Sequence, residues 1–221
     1  EAVTQRFPEL LLEGCSGGGG RFDAGMLYYC PQIWCSDNTD AIERLRIQYG
    51  TSFGYPMSSV SAHVSVCPNH QNHRVTPFKT RGICAMQGTF GYELDLSKMT
   101  DEEKKMAGEQ IAFFKEHGRL FQFGDYYRLT SPFENRDYTV WEYAAQDGSE
   151  ACMSVVYTDM YANAASEIVK WKGLDPKKVY QMQLDGEDAG NFSGAALMHA
   201  GILLPLPEQN YDAFQIYLKA E

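Results

Sequence analysis

A chain of 221 residues that is 44% hydrophobic and 13% aromatic can bury one large core or two smaller ones, and its composition excludes a disordered chain. With 19 basic against 29 acidic residues, the net charge of −10 argues against nucleic acid or an anionic membrane surface as partner; neutral, cationic or sugar-like ligands fit better. No apolar run approaches the ~18 residues of a membrane-spanning helix.

The six cysteines (Cys15, Cys30, Cys35, Cys67, Cys84 and Cys152) are too sparse for a disulfide framework. All but Cys15 read as small buried hydrophobes in a protein of the reducing cytoplasm. The chain opens on Glu1 rather than Met, and Glu1–Arg6 reads like the last turn of a helix already under way. The expectation is a cut edge rather than a native start.

Phe7-Pro8 ends that helix, because the residue before proline avoids the α region. Leu10-Leu11-Leu12 predicts a strand buried on both faces of a parallel sheet. Gly14 and Gly17–Gly20 then break regular structure and permit positive φ and close backbone approach to a ligand. Asp23–Leu27 predicts a weak helix, and Gln32-Ile33-Trp34-Cys35 a second short strand closing on Ser36-Asp37. Asn38 or Thr39 caps a helix through Tyr49, whose apolar face is Ile42, Leu45 and Tyr49. The order is βαβα, the signature of a parallel sheet or barrel.

Further on, Val60–Val66 alternates loosely, Pro68–Arg74 is a polar loop, and Arg81–Met86 is helical or extended. Gly88–Asp95 predicts a strand and turn. The clearest helix follows: Thr100 with Glu103 forms a capping box, Asp101 and Glu102 sit at the positive end of the helix dipole, and Gly118 stops it. Its periodic face is Met106, Gln110, Ile111 and Phe114.

After residue 120 the pattern changes to short aromatic and β-branched runs: Tyr126–Leu129, Thr139–Tyr143, Met153–Tyr157, Val179–Leu184 and Phe214–Leu218. Turn signals separate them, which predicts an antiparallel β-sandwich. The expected division is therefore an α/β part over residues 1–120 and an all-β part over 121–221.

Several constellations carry possible chemistry. Asp37 and Asp40 stand three apart at a strand-to-helix junction. Either both are helix caps, or Asp37, at the strand end beside Trp34, is a general acid or base. In the second reading the indole offers a sugar ring an apolar surface, and partial desolvation favours the protonated form of an acid. The glycine run lacks the Lys-Ser/Thr ending of a phosphate loop and the spacing of a dinucleotide fingerprint, so a substrate-lining loop fits better. Cys67, His70 and His73 form C-x2-H-x2-H, a weak metal pattern with no second cysteine pair; hydrogen bonding within the loop is the simpler reading. Cys15 as a nucleophile needs a base that no local signal supplies.

Glu13-Gly-Cys-Ser-Gly-Gly-Gly-Gly-Arg21-Phe-Asp23, Trp34-Cys-Ser-Asp-Asn-Thr-Asp40, Pro68-Asn-His-Gln71 and Gly88-Thr-Phe-Gly-Tyr-Glu-Leu-Asp95, in that order, resemble the family 36 α-galactosidases. The resemblance is close over residues 7–120 and loose over 120–221. It implies the carboxyl-terminal part of a (β/α)8 TIM barrel followed by a β-sandwich. It also implies a retaining hydrolase that removes terminal α-linked galactose from oligosaccharides of the melibiose and raffinose type. Carried over by motif, Asp37 matches the acid/base carboxylate, and Cys15 and Gly17 match positions lining the galactose subsite. Arg21 and Trp34 fall inside the motifs with structural or wall-forming roles. No metal or organic cofactor is implied, and the complete protein is expected to be a homo-oligomer.

One departure counts against a self-sufficient site. The family's nucleophile is an aspartate in a Lys-Trp-Asp-x-Asn-Arg type motif on an earlier barrel strand, and no such motif occurs here; Trp141-Glu142 and Trp171-Lys172 do not resemble it. A retaining glycosidase needs two carboxyl groups about 5–5.5 Å apart. The chain is therefore expected to be a piece of a larger enzyme, inactive alone and completed in cis or by a separate chain. Two alternatives stand beside this reading: a non-catalytic sugar-binding or subunit-interaction module, whose aromatic strands form the contact surface, and a related α-N-acetylgalactosaminidase or galactosyl-transferring enzyme.

Overall fold

The computed structural model describes residues 1–221. Four parallel strands, β1 (Glu13–Gly14), β2 (Gln32–Trp34), β3 (Val60–Ser65) and β4 (Thr89–Glu93), lie side by side in sequence order. The register pairs Gly14 with Ile33, Trp34 with Ser61, and Ser61 to Ser65 with Thr89 to Glu93. Parallel neighbours need crossover connections, and these are mostly helical. The helices here are α1 (Ala2–Arg6), α2 (Ser16–Gly19, a single turn in which every residue has positive φ), α3 (Ala24–Leu27), α4 (Ala41–Thr51), α5 (Phe78–Ala85), α6 (Asp101–Glu116) and α7 (Gly118–Phe123).

The second half is a six-stranded antiparallel sheet. It comprises β5 (Asp125–Arg128), β6 (Tyr138–Ala144), β7 (Glu150–Tyr157), β9 (Val179–Leu184), β10 (Glu187–Ser193) and β12 (Ala213–Ala220), in the order β10-β9-β12-β7-β6-β5. A two-stranded ribbon of β8 (Ile168–Val169) and β11 (Ile202–Leu203), together with α8 (Gly194–His199), lies beside it.

The large sheet is buried on both faces, so β6 and β7 read as nearly continuous buried runs. One face carries Val140, Met153, Val155, Ile216 and Leu218 against Trp171, Leu197 and Leu204. The opposite face carries Trp141, Tyr143, Cys152, Val156 and Tyr217 against Ile42 and Leu45 of α4, Ile83 and Cys84 of α5, and Leu120 and Phe121 of α7. Burying a large apolar side chain stabilises by roughly 1.5–3 kcal/mol, so this shared core binds the two halves strongly.

The capping box of α6 is present, with Thr100 Oγ1 accepting from Glu103 N at 3.1 Å and Glu103 Oε2 from Thr100 N at 3.0 Å. Four expectations are corrected. Leu10-Leu11-Leu12 forms no strand; β1 begins at Glu13, and Leu11 is 86% exposed because no other element of the chain packs on it. Gly118 does not end helical structure: α6 stops at Glu116, His117 breaks the axis, and α7 starts at Gly118. Ile111 points outward, and Phe113 takes the inner position, packing on His117, Phe121 and Tyr217. The cap of α4 is neither Asn38 nor Thr39 but Asp40, whose Oδ1 accepts from Ile42 N at 2.8 Å and Glu43 N at 2.9 Å.

Candidate active site

Polar side chains converge where the parallel strands end, the edge at which open and closed α/β sheets hold ligands. The loop after β1 carries Cys15, Ser16 and the glycines; the loop after β2 carries Asp37; the loop after β3 carries Asn69 to Arg74.

The glycine loop passes directly over Asp37. Ser16, Gly17, Gly18 and Gly19 all have positive φ (57, 64, 71 and 86°), a run that turns the backbone back on itself within four residues. A Cβ on Gly18 would meet Asp37 N and Oδ2 at 3.1 Å, and one on Gly19 would sit 2.8 Å from the Trp34 carbonyl oxygen. Here glycine is required by contact as well as by φ. Gly17 differs, since nothing lies within 4 Å of a Cβ built there, and its backbone faces open space. At the loop's start the Cys15 thiol donates toward Asp37 Oδ1 at 3.9 Å. Cys15, Gly17 and Asp37 are thus brought to one exposed surface. Asp37 caps no helix, so the two aspartates of the motif part company: Asp40 is the cap, and Asp37 stands exposed at the strand end.

Beneath that loop the buried Arg44 acts as a pin. Its Nη1 donates to the Ser36 carbonyl at 3.1 Å and the Asn38 carbonyl at 3.4 Å, and its Nη2 to the Ser61 carbonyl at 2.7 Å. The guanidinium also lies over the Trp34 ring, 4.9 Å from its centroid, which fixes the indole from behind. Burial lowers the pKa of this guanidinium from its ordinary value. The other edge of Trp34 meets His63 at a centroid distance of 4.3 Å, and His63 Nδ1 lies 3.2 Å from Glu93 Oε2.

From the far side the 69–74 loop grips residues 37–43. Gln71 Nε2 donates to the Asp37 carbonyl at 3.0 Å, and its Oε1 accepts from Thr39 N at 3.1 Å. Buried Asn69 donates to Thr39 Oγ1 at 3.1 Å, Asn72 to Asp40 Oδ2 at 2.7 Å, and Arg74 Nε sits 3.0 Å from the same Oδ2. Of the C-x2-H-x2-H residues, Cys67 donates to the Thr76 carbonyl at 3.6 Å, while His70 and His73 are exposed. The glycine-loop Arg21 is exposed, and Asp23 caps α3 by accepting from Met26 N at 2.9 Å.

Sequence reasoning missed Arg44, Asn72 and the bracketing amide of Gln71. The one available signal for Gln71 was its place in the Pro68-Asn-His-Gln71 motif; its partner lies 34 residues away.

An α/β sheet with a carboxylate and a thiol under a glycine loop, continued by an antiparallel sheet packed on its helices, defines a class that comparison with known proteins makes specific. The family description "Melibiase" matches residues 1–124, and "Glycosyl hydrolase family 36 C-terminal domain" matches residues 138–218. The chain therefore belongs to the melibiase family, glycosyl hydrolase family 36. It is 54% identical over 215 residues to the bifunctional alpha-galactosidase/sucrose kinase AgaSK of Mediterraneibacter gnavus, covering 97% of this chain and 23% of that protein. Alpha-galactosidase AgaA of Geobacillus stearothermophilus is 50% identical over 220 residues, 100% of this chain and 30% of the other. The crystal structure of a doubly substituted AgaA in complex with raffinose superposes with a TM-score of 0.94 at 49% identity, over 99% of this chain and 30% of that one. The chain thus spans 23% and 30% of the length of these two relatives. No helix is long and apolar enough to cross a membrane, and all six cysteines are free thiols.

Proposed function

We propose that this chain supplies the acid/base half of a retaining α-galactosidase site that removes terminal α-linked galactose from oligosaccharides of the melibiose and raffinose type. Residues 1–120 are the carboxyl-terminal part of a (β/α)8 barrel, and residues 121–221 a β-sandwich domain docked on its helices. The observation that carries the reading is the Asp37 carboxylate, held at the end of β2 under the glycine loop and faced by Cys15.

In the proposed reaction the Asp37 carboxyl protonates the departing oxygen as the galactosyl-enzyme forms. Ionised by that step, it then takes a proton from the attacking water, as microscopic reversibility requires. Cys15 and the open backbone at Gly17 line the galactose subsite, and Trp34 walls it. The nucleophile, a second carboxylate about 5–5.5 Å from Asp37, comes from a barrel strand outside these 221 residues, in cis or on a separate chain. Four parallel strands have an open edge at β1, which a closed barrel would pair.

The rival reading of the second half as a free aromatic contact surface has less support. Trp141, Tyr143 and Tyr217 are buried against α4, α5 and α7, so these aromatics are already used inside the molecule.

The test is Asp37→Asn in the complete polypeptide that carries this chain. Turnover of melibiose is lost, while an activated aryl α-galactoside, which leaves with little protonation, still forms the glycosyl-enzyme. Unchanged melibiose hydrolysis would overturn the assignment. The 221-residue chain alone should not turn over the aryl substrate, and turnover would mean that a second carboxylate lies within it.

A further inference from the structure

We infer that Gln71 is a positioning residue for the Asp37 carboxyl, acting through the backbone of residues 37–39; this rests on the reading of Asp37 as the acid/base.

The carboxylate of Asp37 has no basic or amide partner, and its polar contact is the Cys15 thiol at 3.9 Å. Its placement therefore rests on the Asp37 backbone together with the glycine loop packed over the carboxyl group. Arg44 holds the neighbouring carbonyls of Ser36 and Asn38 from below but does not reach the Asp37 carbonyl. Gln71 does. One primary amide spends both ends on this turn: Nε2 donates to the Asp37 carbonyl at 3.0 Å, and Oε1 accepts from Thr39 N at 3.1 Å. A side chain that closes two bonds across residues 37 and 39 fixes the turn between them, which neither bond does alone.

The clamp is itself held. Asn69, buried in the same loop, accepts from Gln71 N through Oδ1 at 2.9 Å and donates to Thr39 Oγ1 through Nδ2 at 3.1 Å. The loop after β3 thus reads the position of the loop after β2 at two adjacent points. Gln71 is exposed and adds nothing to the apolar core, so the structure gives it no packing role that competes with the positional one.

Chemistry makes the consequence selective. A displaced acid slows bond cleavage in proportion to how much the leaving oxygen needs its proton. Displacing a catalytic group by about 1 Å costs on the order of 100-fold. Gln71→Met keeps side-chain length while removing both hydrogen bonds. In the complete polypeptide, kcat for melibiose should fall about 10- to 100-fold with KM little changed. Formation of the glycosyl-enzyme from an activated aryl α-galactoside should change less than about threefold, and the melting temperature should hold. Gln71→Glu retains the acceptor for Thr39 N but not the donor to Asp37, and should lose melibiose turnover to an intermediate extent. Equal losses on both substrates, or none, would overturn the inference. Asp37→Asn run alongside separates the two claims: if it is selective against melibiose and Gln71→Met is not, this inference alone fails. Normal melibiose turnover by Asp37→Asn instead removes the reading beneath it.

Discussion

Asp40 Oδ2 and Arg74 Nε lie 3.0 Å apart, a carboxylate 1% exposed against a guanidinium 25% exposed. The pair joins the loop after β2 to the loop after β3, and the Arg74 guanidinium also lies 5.1 Å from the ring centroid of Tyr211, just before β12. Three parts of the chain thus meet through Arg74, on a carboxylate three residues from the proposed acid/base.

Asp40 should accordingly be among the most sensitive polar positions in the chain. Asp40→Ala removes the α4 cap, the bond from Asn72 and the partner of Arg74. Losing the cap costs about 0.5–2 kcal/mol, and leaving Asn72 and the partly exposed Arg74 without this partner adds about 1–3 kcal/mol. Asp40→Asn keeps a capping oxygen and should cost about 1–3 kcal/mol. Urea denaturation of the two variants would show that order, and equal small losses would count against the arrangement.

The glycine loop predicts a ranking rather than a uniform effect. Gly17→Ala meets open space and carries mainly the left-handed backbone cost of about 1–2 kcal/mol. Gly19→Ala places a methyl 2.8 Å from the Trp34 carbonyl at φ +86°, so the loop must lift off the strand end. It should destabilise more than Gly17→Ala and shift tryptophan fluorescence, which Gly17→Ala should leave unchanged.

Legibility in the sequence followed the range of the interactions. The α6 cap was readable because its two partners stand three residues apart, and the predicted span Val179–Leu184 of β9 was readable because buried and exposed residues alternate along most of it. Strand β10 was not, since six of its seven residues are exposed and polarity hides a strand that pairs only at its backbone. Leu10–Leu12 misled because an apolar run signals burial only if something packs on it. At the candidate site the motif resemblance picked out Asp37, Cys15 and Gly17, which the fold brings to one exposed surface. The clamps were not, because Arg44, Gln71 and Arg74 act on groups that the fold alone brings near.

Gln87 marks the polar seam between the halves. It is 1% exposed; its Nε2 donates to Tyr126 Oη at 2.6 Å, its Oε1 accepts from Gln48 Nε2, and its carbonyl accepts from Tyr143 Oη. Gln87→Leu leaves Tyr126 Oη without this donor and should cost about 1–3 kcal/mol per group so stranded. Adding Tyr126→Phe removes one stranded group, so the double variant should be more stable than the sum of the single losses predicts. Strict additivity would mean that the two side chains are not coupled.

Glu142 gives the pH dependence. It is fully buried in β6, and its carboxylate accepts from Lys172 N, with Oε2 at 3.0 Å. Burial raises its pKa from 4.5 to about 8, against the smaller opposing effects of the Lys172 N–H and the Lys172 charge. Unfolded, the group ionises in its ordinary range, so between about 4.5 and about 8 the folded chain binds the proton that the unfolded chain has released. Stability from this residue is therefore complete below about pH 4.5 and declines as pH rises, by at most about 1.4 kcal/mol per unit, levelling once the folded group also ionises. A glutamine in its place cannot titrate and can still accept from Lys172 N. The difference in unfolding free energy between Glu142→Gln and the parent chain, measured by urea denaturation from about pH 5 to about pH 8.5, should move steadily in favour of the variant. Taking the difference cancels the groups common to both proteins. A constant difference across that range would mean that Glu142 is already ionised inside the sheet.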